Sequence, residues 1–141
     1  MKYLIVCLLV GMISFAQAQK VSSEKLPAAV KESFAKMFPN VKDAKWEMEK
    51  KGEYEASFKA DGKEMSANFS DKGDWKETET AIKPAELPKA AMDYVNEHHK
   101  GAKIREAAML KKPNGLTQYE IEVSGKDLIF DESGKLVANH E

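Results

Sequence analysis

Past its first eighteen residues the chain contains no cysteine; the single one is Cys7. That removes the disulfide, the thiol nucleophile and the thiolate metal site together, and leaves the core alone to hold the fold. An excess of one charge is missing as well. The 22 basic and 23 acidic residues give a formal net charge of −1, and they are interspersed without a like-charge block. No basic stripe is available to track nucleic acid or to bind an anionic membrane surface. A Gly-x-Ser-x-Gly elbow is absent, and the serines fall in turns or on exposed strand positions, which excludes the usual serine hydrolase geometry. The one long apolar run, Tyr3 to Phe15, is shorter than the roughly 20 residues a membrane span requires.

That run has another use. Lys2 precedes it and Ala16-Gln17-Ala18 follows, a positive start, an apolar middle and a small-x-small end. Residues 1–18 are therefore predicted to be a secretory signal peptide. Cys7 lies inside the run, away from the cleavage point, so lipidation is not expected. Residues 19–141 are then an exported chain of a length suited to one domain, without stable membrane insertion. Loss of Lys2 takes its formal charge from −1 to −2.

What is present is a sentence written twice. Leu26-Pro27-Ala28-Ala29 returns as Leu87-Pro88-Lys89-Ala90, an offset of 61 positions from 26 to 87. The same offset carries Met48-Glu49-Lys50-Lys51 onto Met109-Leu110-Lys111-Lys112, and Phe69-Ser70-Asp71-Lys72-Gly73 onto Phe130-Asp131-Glu132-Ser133-Gly134. Tyr54-Glu55 meets Tyr119-Glu120 with a small difference in turn length. A duplicated supersecondary unit implies that each copy has an edge or apolar face the other helps to cover. We place the repeats at 24–80 and 85–141, joined by a connector over 81–86 that runs into the start of the second.

Each repeat opens on a helix. Pro27 and Pro88 suit a first helical position, where the missing N–H is no loss. Leu26, Val30, Phe34, Met37 and Phe38 recur at three- and four-residue spacing, as do Leu87, Ala91, Tyr94, Val95 and His98. Pro39-Asn40 and Gly101 end the two helices. The period then drops to two. Ala44, Trp46 and Met48 alternate with polar residues, as do Tyr54, Ala56 and Phe58, then Met65, Ala67 and Phe69. Tyr119, Ile121 and Val123, followed by Leu128 and Phe130, do the same in the second half. These are half-buried strands, joined at Gly52, Gly62, Gly73, Gly115, Gly125 and Gly134, where a tight turn can take positive φ. The fold class is α+β: helix plus four-stranded meander, twice, forming one antiparallel sheet of up to eight strands with two helices on one face. The other face is left to water. It carries Glu47, Glu49, Glu55, Ser57, Lys59, Ser66, Asn68, Glu120 and Glu122, and is either a docking surface or a solvated one.

The Leu-Pro-x-Ala helix opening, the meander and the closing Phe-x-x-x-Gly hairpin, all repeated, resemble the PepSY-like proteins, small exported bacterial proteins described as β-lactamase-inhibitor-like. The resemblance covers residues 24 to 141. It implies a non-catalytic binding module in the periplasm or outside the cell, since the related inhibitor fold is a tandem repeat whose curved sheet grips its target enzyme, and PepSY domains are associated with restraining peptidases. Its motifs are structural, so no contact residue is carried over, and the step from fold to inhibition is analogy.

Weighed residue by residue, the chemistry is sparse. His98 and His99 are adjacent, and neighbours on a helix point too far apart to share one ion; they take the places of Met37 and Phe38 and read as the edge of the core. Asp71-Lys72-Gly73-Asp74 lacks the spaced oxygens of a calcium loop and reads as a hairpin turn. No carboxylate is marked as desolvated, which acid–base catalysis would need, so an enzyme is not expected. Trp46 falls in phase with the core. Trp75 follows a hairpin and is either rim anchor or packing. The expected binding residues are thus Glu47, Glu55, Ser57, Lys59, Asn68, Trp75, Glu120 and Glu122. The expected partner is a protein or peptide of the envelope or outside the cell, with neither cofactor nor metal. A carrier of a small ligand or metal ion is the alternative, and would need a pocket between helices and sheet or a site at His98.

Overall fold

The computed structural model describes residues 18–140; the predicted signal peptide lies, except for Ala18, outside the described residues. Nine strands follow one another across one antiparallel sheet in chain order. They are β1 (Gln19–Val21), β2 (Lys45–Lys50), β3 (Glu53–Ala60), β4 (Lys63–Ser70), β5 (Trp75–Ala81), β6 (Ile104–Lys111), β7 (Thr117–Val123), β8 (Lys126–Asp131) and β9 (Leu136–His140). Helix α1 (Ala28–Met37) precedes β2 and helix α2 (Lys89–His98) precedes β6, so a helix followed by four strands occurs twice in succession. Up to eight strands were expected, and β1 is the ninth. It is too short to display a period, and pairs with β2 in the register Gln19↔Met48 to Val21↔Trp46.

Register decides which side chains share a face, because successive residues of a strand point to opposite sides. Trp46 opposes Ala56, Ala56 opposes Ala67, and Tyr54 opposes Phe69. In the second half Ile121 opposes Leu128 and Tyr119 opposes Phe130. These residues face the helices. Two cores result, one under each helix: Leu26, Val30, Phe34, Trp46, Phe58 and Phe69 in the first, and Leu87, Ala91, Val95, Ile121, Leu128 and Phe130 prominent in the second. Phe34 is the hub of the first. Its ring centroid lies 5.1 Å from Trp46, 5.2 Å from Phe58 and 6.3 Å from Phe69, all edge-on, a geometry the aromatic quadrupole favours.

The helical stripe is narrower than the sequence pattern. Leu26, Val30 and Phe34, like Leu87, Ala91 and Val95, are buried at four-residue spacing, whereas Met37 and His98 are exposed. His98 stacks on Tyr94 at 4.2 Å rather than covering the core. Pro27 and Pro88 stand at the N-caps, one residue before the helices they open. Each helix start is braced by a hairpin. A Cβ on Gly73 would come 2.5 Å from the Ala29 carbonyl oxygen, and one on Gly134 would come 2.8 Å from the Ala91 nitrogen, with φ at 82° and 85°. Only glycine meets both demands.

Candidate functional site

Among the described residues no helix covers the second face of the sheet, and its side chains assemble into cross-strand rows. One row runs Lys20, Glu47, Glu55, Asn68, Glu77. The next runs Lys45, Ser57, Ser66, Glu79, Leu110, Gln118, Asp131. Beyond it stand Ala81, Ala108, Glu120, Ile129 and Ala138, then Glu106, Glu122, Asp127 and His140. Seven of the eight expected residues share this face. Trp75 does not: the register shift after Asn68 sets it opposite Phe69, where it packs against the first core. Its indole N–H donates to Thr78 Oγ1 at 2.9 Å.

The face is less wet than its composition implied. Glu55, Asn68, Ser66, Ala108 and Leu110 are all buried there. Asn68 Nδ2 donates to Glu49 at 3.3 Å across β3. A cleft of about 340 Å³ opens where β5 ends. Pairing between β5 and β6 covers Thr78↔Lys111 to Ala81↔Ala108, and one further bond, Ile82 N–H to the Ala107 carbonyl at 3.0 Å, closes the seam. The chain then leaves for α2, while β6 begins earlier, at Ile104. The peeling of one strand from its neighbour makes the cleft.

Among the described residues six carboxyl groups line it, those of Glu64, Glu79, Glu106, Glu120, Glu122 and Asp127, together with the Arg105 guanidinium and the apolar surface of Ala81, Ile82, Ile104 and Ala108. Arg105 is held by Glu122 at 2.9 Å, and Lys59 by Glu64 at 3.6 Å, both at the exposed rim. Glu120, from β7, is half-buried. Burial first, then the like charges of Glu79, Asp127, Glu77 and Glu106, push its pKa up to about 8, so it holds its proton at neutral pH. Burial and Glu122 raise Glu106, and Arg105 opposes them. Burial and Glu122 likewise raise Asp127, opposed by His140.

This corrects the expectation that no carboxylate is desolvated. Glu64, Glu79, Glu106 and Asp127 were missed. Asp127 was findable, because it alternates with Leu128. Glu79 alternates with threonines, and Glu106 follows a bulge between Ile104 and itself that resets the period. The cleft lies on the face away from the helices, so it is not the helix–sheet pocket that a carrier was expected to need. Among the described residues no group of three or more His, Cys, Asp and Glu is disposed to hold a metal ion, and no helix is long and apolar enough to cross a membrane.

A model of the family described as "Putative beta-lactamase-inhibitor-like, PepSY-like" matches the chain over residues 12–66 and again over 52–138. Two overlapping matches fit an internal duplication. The solved structure of a BLIP-like protein from Bacteroides fragilis is 29% identical and superposes with a TM-score of 0.68, covering 81% of this chain and 84% of that one. A "putative periplasmic" protein from Bacteroides eggerthii is 18% identical, with a TM-score of 0.74 over 82% of this chain and 88% of its own. Among curated proteins none matches.

Proposed function

Because the chain belongs to the PepSY-like, β-lactamase-inhibitor-like family, we propose that it is an exported, periplasmic, non-catalytic module that docks an envelope or secreted protein on the open face of its sheet. The observation that carries this reading is the open face itself. Among the described residues a nine-stranded sheet buries one side under two helices and leaves the other uncovered, yet that other side holds buried polar residues and a formed cleft. A merely solvated face has no need of either. The leader predicted at residues 1–18 and the periplasmic description of the Bacteroides eggerthii relative support the compartment.

The test is capture. The protein, expressed full-length and recovered as the cell processes it, is immobilised and exposed to envelope and secreted fractions of its native cell. One protein should be enriched, lost with Glu47→Lys, Lys59→Glu or Glu122→Lys, and retained with Lys36→Glu on exposed α1 surface. Capture indifferent to all three open-face changes would remove the proposed surface. A second reading, general-acid chemistry by Glu120, is favoured by its retained proton. Hydrolysis of peptide or glycosidic probes that vanishes with Glu120→Gln would establish it and displace the non-catalytic reading.

A further inference from the structure

The repeat that builds the sheet also matches its two ends to its middle. Moved by the 61 positions that separate the repeats, Gln19↔Met48 falls on Thr80↔Met109 and Lys20↔Glu47 on Ala81↔Ala108. Val21↔Trp46 falls on Ile82 and Ala107, which share the bond that closes the seam. β1 therefore holds on β2 the place that the end of β5 holds on β6. The same shift lays the pairing of β4 with β5 on that of β8 with β9. Ser66↔Glu79 becomes Asp127↔His140 and Phe69↔Trp75 becomes Phe130↔Leu136, the register break included. β9 is thus a second β5. β5 goes on to pair with β6, whereas among the described residues β9 has a neighbour on one side only. We propose that the free edge of β9 pairs with the outer edge of β2 in a second copy of this chain, repeating the β5–β6 seam between molecules.

The shift states the register. Thr78↔Lys111 and Glu79↔Leu110 become Asn139↔Lys50 and His140↔Glu49 between copies. That stretch of β2 is the part β1 leaves open, since β1 begins opposite Met48. β1 and an incoming β9 then lie end to end on β2 and together make up one β5. By the same count Ala18 takes the place of Glu79, on the track His140 needs. The junction therefore belongs to the chain cut after Ala18 and rests on the export reading. Charge agrees with the register. His140 pairs beside Asp127, and Glu49 lies across the junction on the same open face, where Asn68 donates to it at 3.3 Å. At pH 6, where an ordinary histidine is charged, an imidazolium between two carboxylates favours the contact. Unpaired edge strands are templates for another chain. These two edges are unlike and complementary, so the contact is heterologous and runs head to tail from copy to copy. Its ladder is short, because β2 bulges toward β3 between Met48 and Lys50 where β6 runs straight past β7. Association is correspondingly weak, with an apparent Kd of roughly 0.1–1 mM.

The test is sedimentation velocity at pH 6 on the protein expressed full-length and recovered as processed, from about 0.02 to about 1 mM. The weight-average mass should climb with concentration past that of a dimer, as an open head-to-tail contact requires. In the ¹⁵N-labelled protein the amides that shift with concentration should be those of Glu49, Lys50, Asn139 and His140. Glu49→Lys and His140→Glu should each weaken association about tenfold while keeping the dilute spectrum of the wild type. An equimolar mixture of the two variants should recover it, because the substitutions exchange the charges of one junction and leave the other as in the wild type. Constant mass over the whole range overturns the inference, as does a mixture that associates no better than its parts. Undiminished association of Glu49→Lys alone marks two-fold pairing of β9 with itself and overturns it too. A recovered mass that includes Ala18 overturns the export reading and the junction with it. If a captured partner is still released by Glu47→Lys or Glu122→Lys, the docking reading survives the loss of the junction.

Discussion

Removing the buried charge at Glu120 tests the physics of the cleft without knowledge of any partner. In the folded chain its carboxyl titrates at about 8, against 4.5 for an unperturbed glutamate. Below pH 4.5 both folded and unfolded forms hold the proton, and the group is neutral toward stability. Between 4.5 and about 8 the unfolded chain has lost it and the folded chain has not, so stability falls as pH rises. The loss is complete above about pH 8. At ~1.4 kcal/mol per pH unit, that span sets a ceiling of about 5 kcal/mol. Rotation of the carboxylate toward water and uptake of counter-ions reduce it, and we expect about 2–3 kcal/mol. Glu106 and Asp127 are raised as well and act with the same sign. Glu86 and Asp131, lowered by hydrogen bonds to Lys63 and Ser133 first, act in the acid range with the opposite sign. Urea unfolding of wild type and Glu120→Gln at pH 5, 7 and 9 measures the effect. At pH 5, only half a unit above the unperturbed value, the two should differ by less than about 1 kcal/mol. At pH 9 the variant should be the more stable by about 2–3 kcal/mol, a midpoint shift of roughly 1–2 M. Equal loss of stability in both proteins between pH 5 and 9 would refute the desolvated carboxyl.

Gly73→Ala and Gly134→Ala should each cost about 3 kcal/mol or more in chemical denaturation, because the new Cβ meets helix backbone and φ is positive. Gly62→Ala, with positive φ but open space around it, should cost about 1 kcal/mol. Phe34→Ala should cost about 4 kcal/mol, with quenched near-ultraviolet dichroism from Trp46, since it empties the centre of the first aromatic cluster. Trp75→Phe should lose about 1 kcal/mol through its bond to Thr78 and leave any captured partner in place, since the ring faces the helices.

Much of the fold was legible before any coordinates. The paired Leu-Pro helix openings, the alternation at Trp46, Ala56, Ala67 and Phe69, and the turn glycines each report a local preference, and local preferences survive tertiary packing when they agree with one another. β1 was illegible because three residues carry no period. Seven of the eight expected face residues do lie together, since strand alternation states which side a residue takes. What alternation cannot state is how wet that side becomes. In β6 the run Ala107-Ala108-Met109-Leu110 blurs the period because apolar residues fall on both faces there, with Leu110 and Ala108 buried on the side away from the helices.

By itself, then, the sequence determined the element types, the repeat-like order and the two faces, because those depend on spacing within a few residues. The acidic cleft was decided by the tertiary structure alone. Glu79, Glu106, Glu120 and Asp127 come from four strands, and each is an ordinary surface acid when read along the chain. Only the parting of β5 from β6, and the burial and mutual repulsion that follow from assembling those strands side by side, makes Glu120 hold its proton.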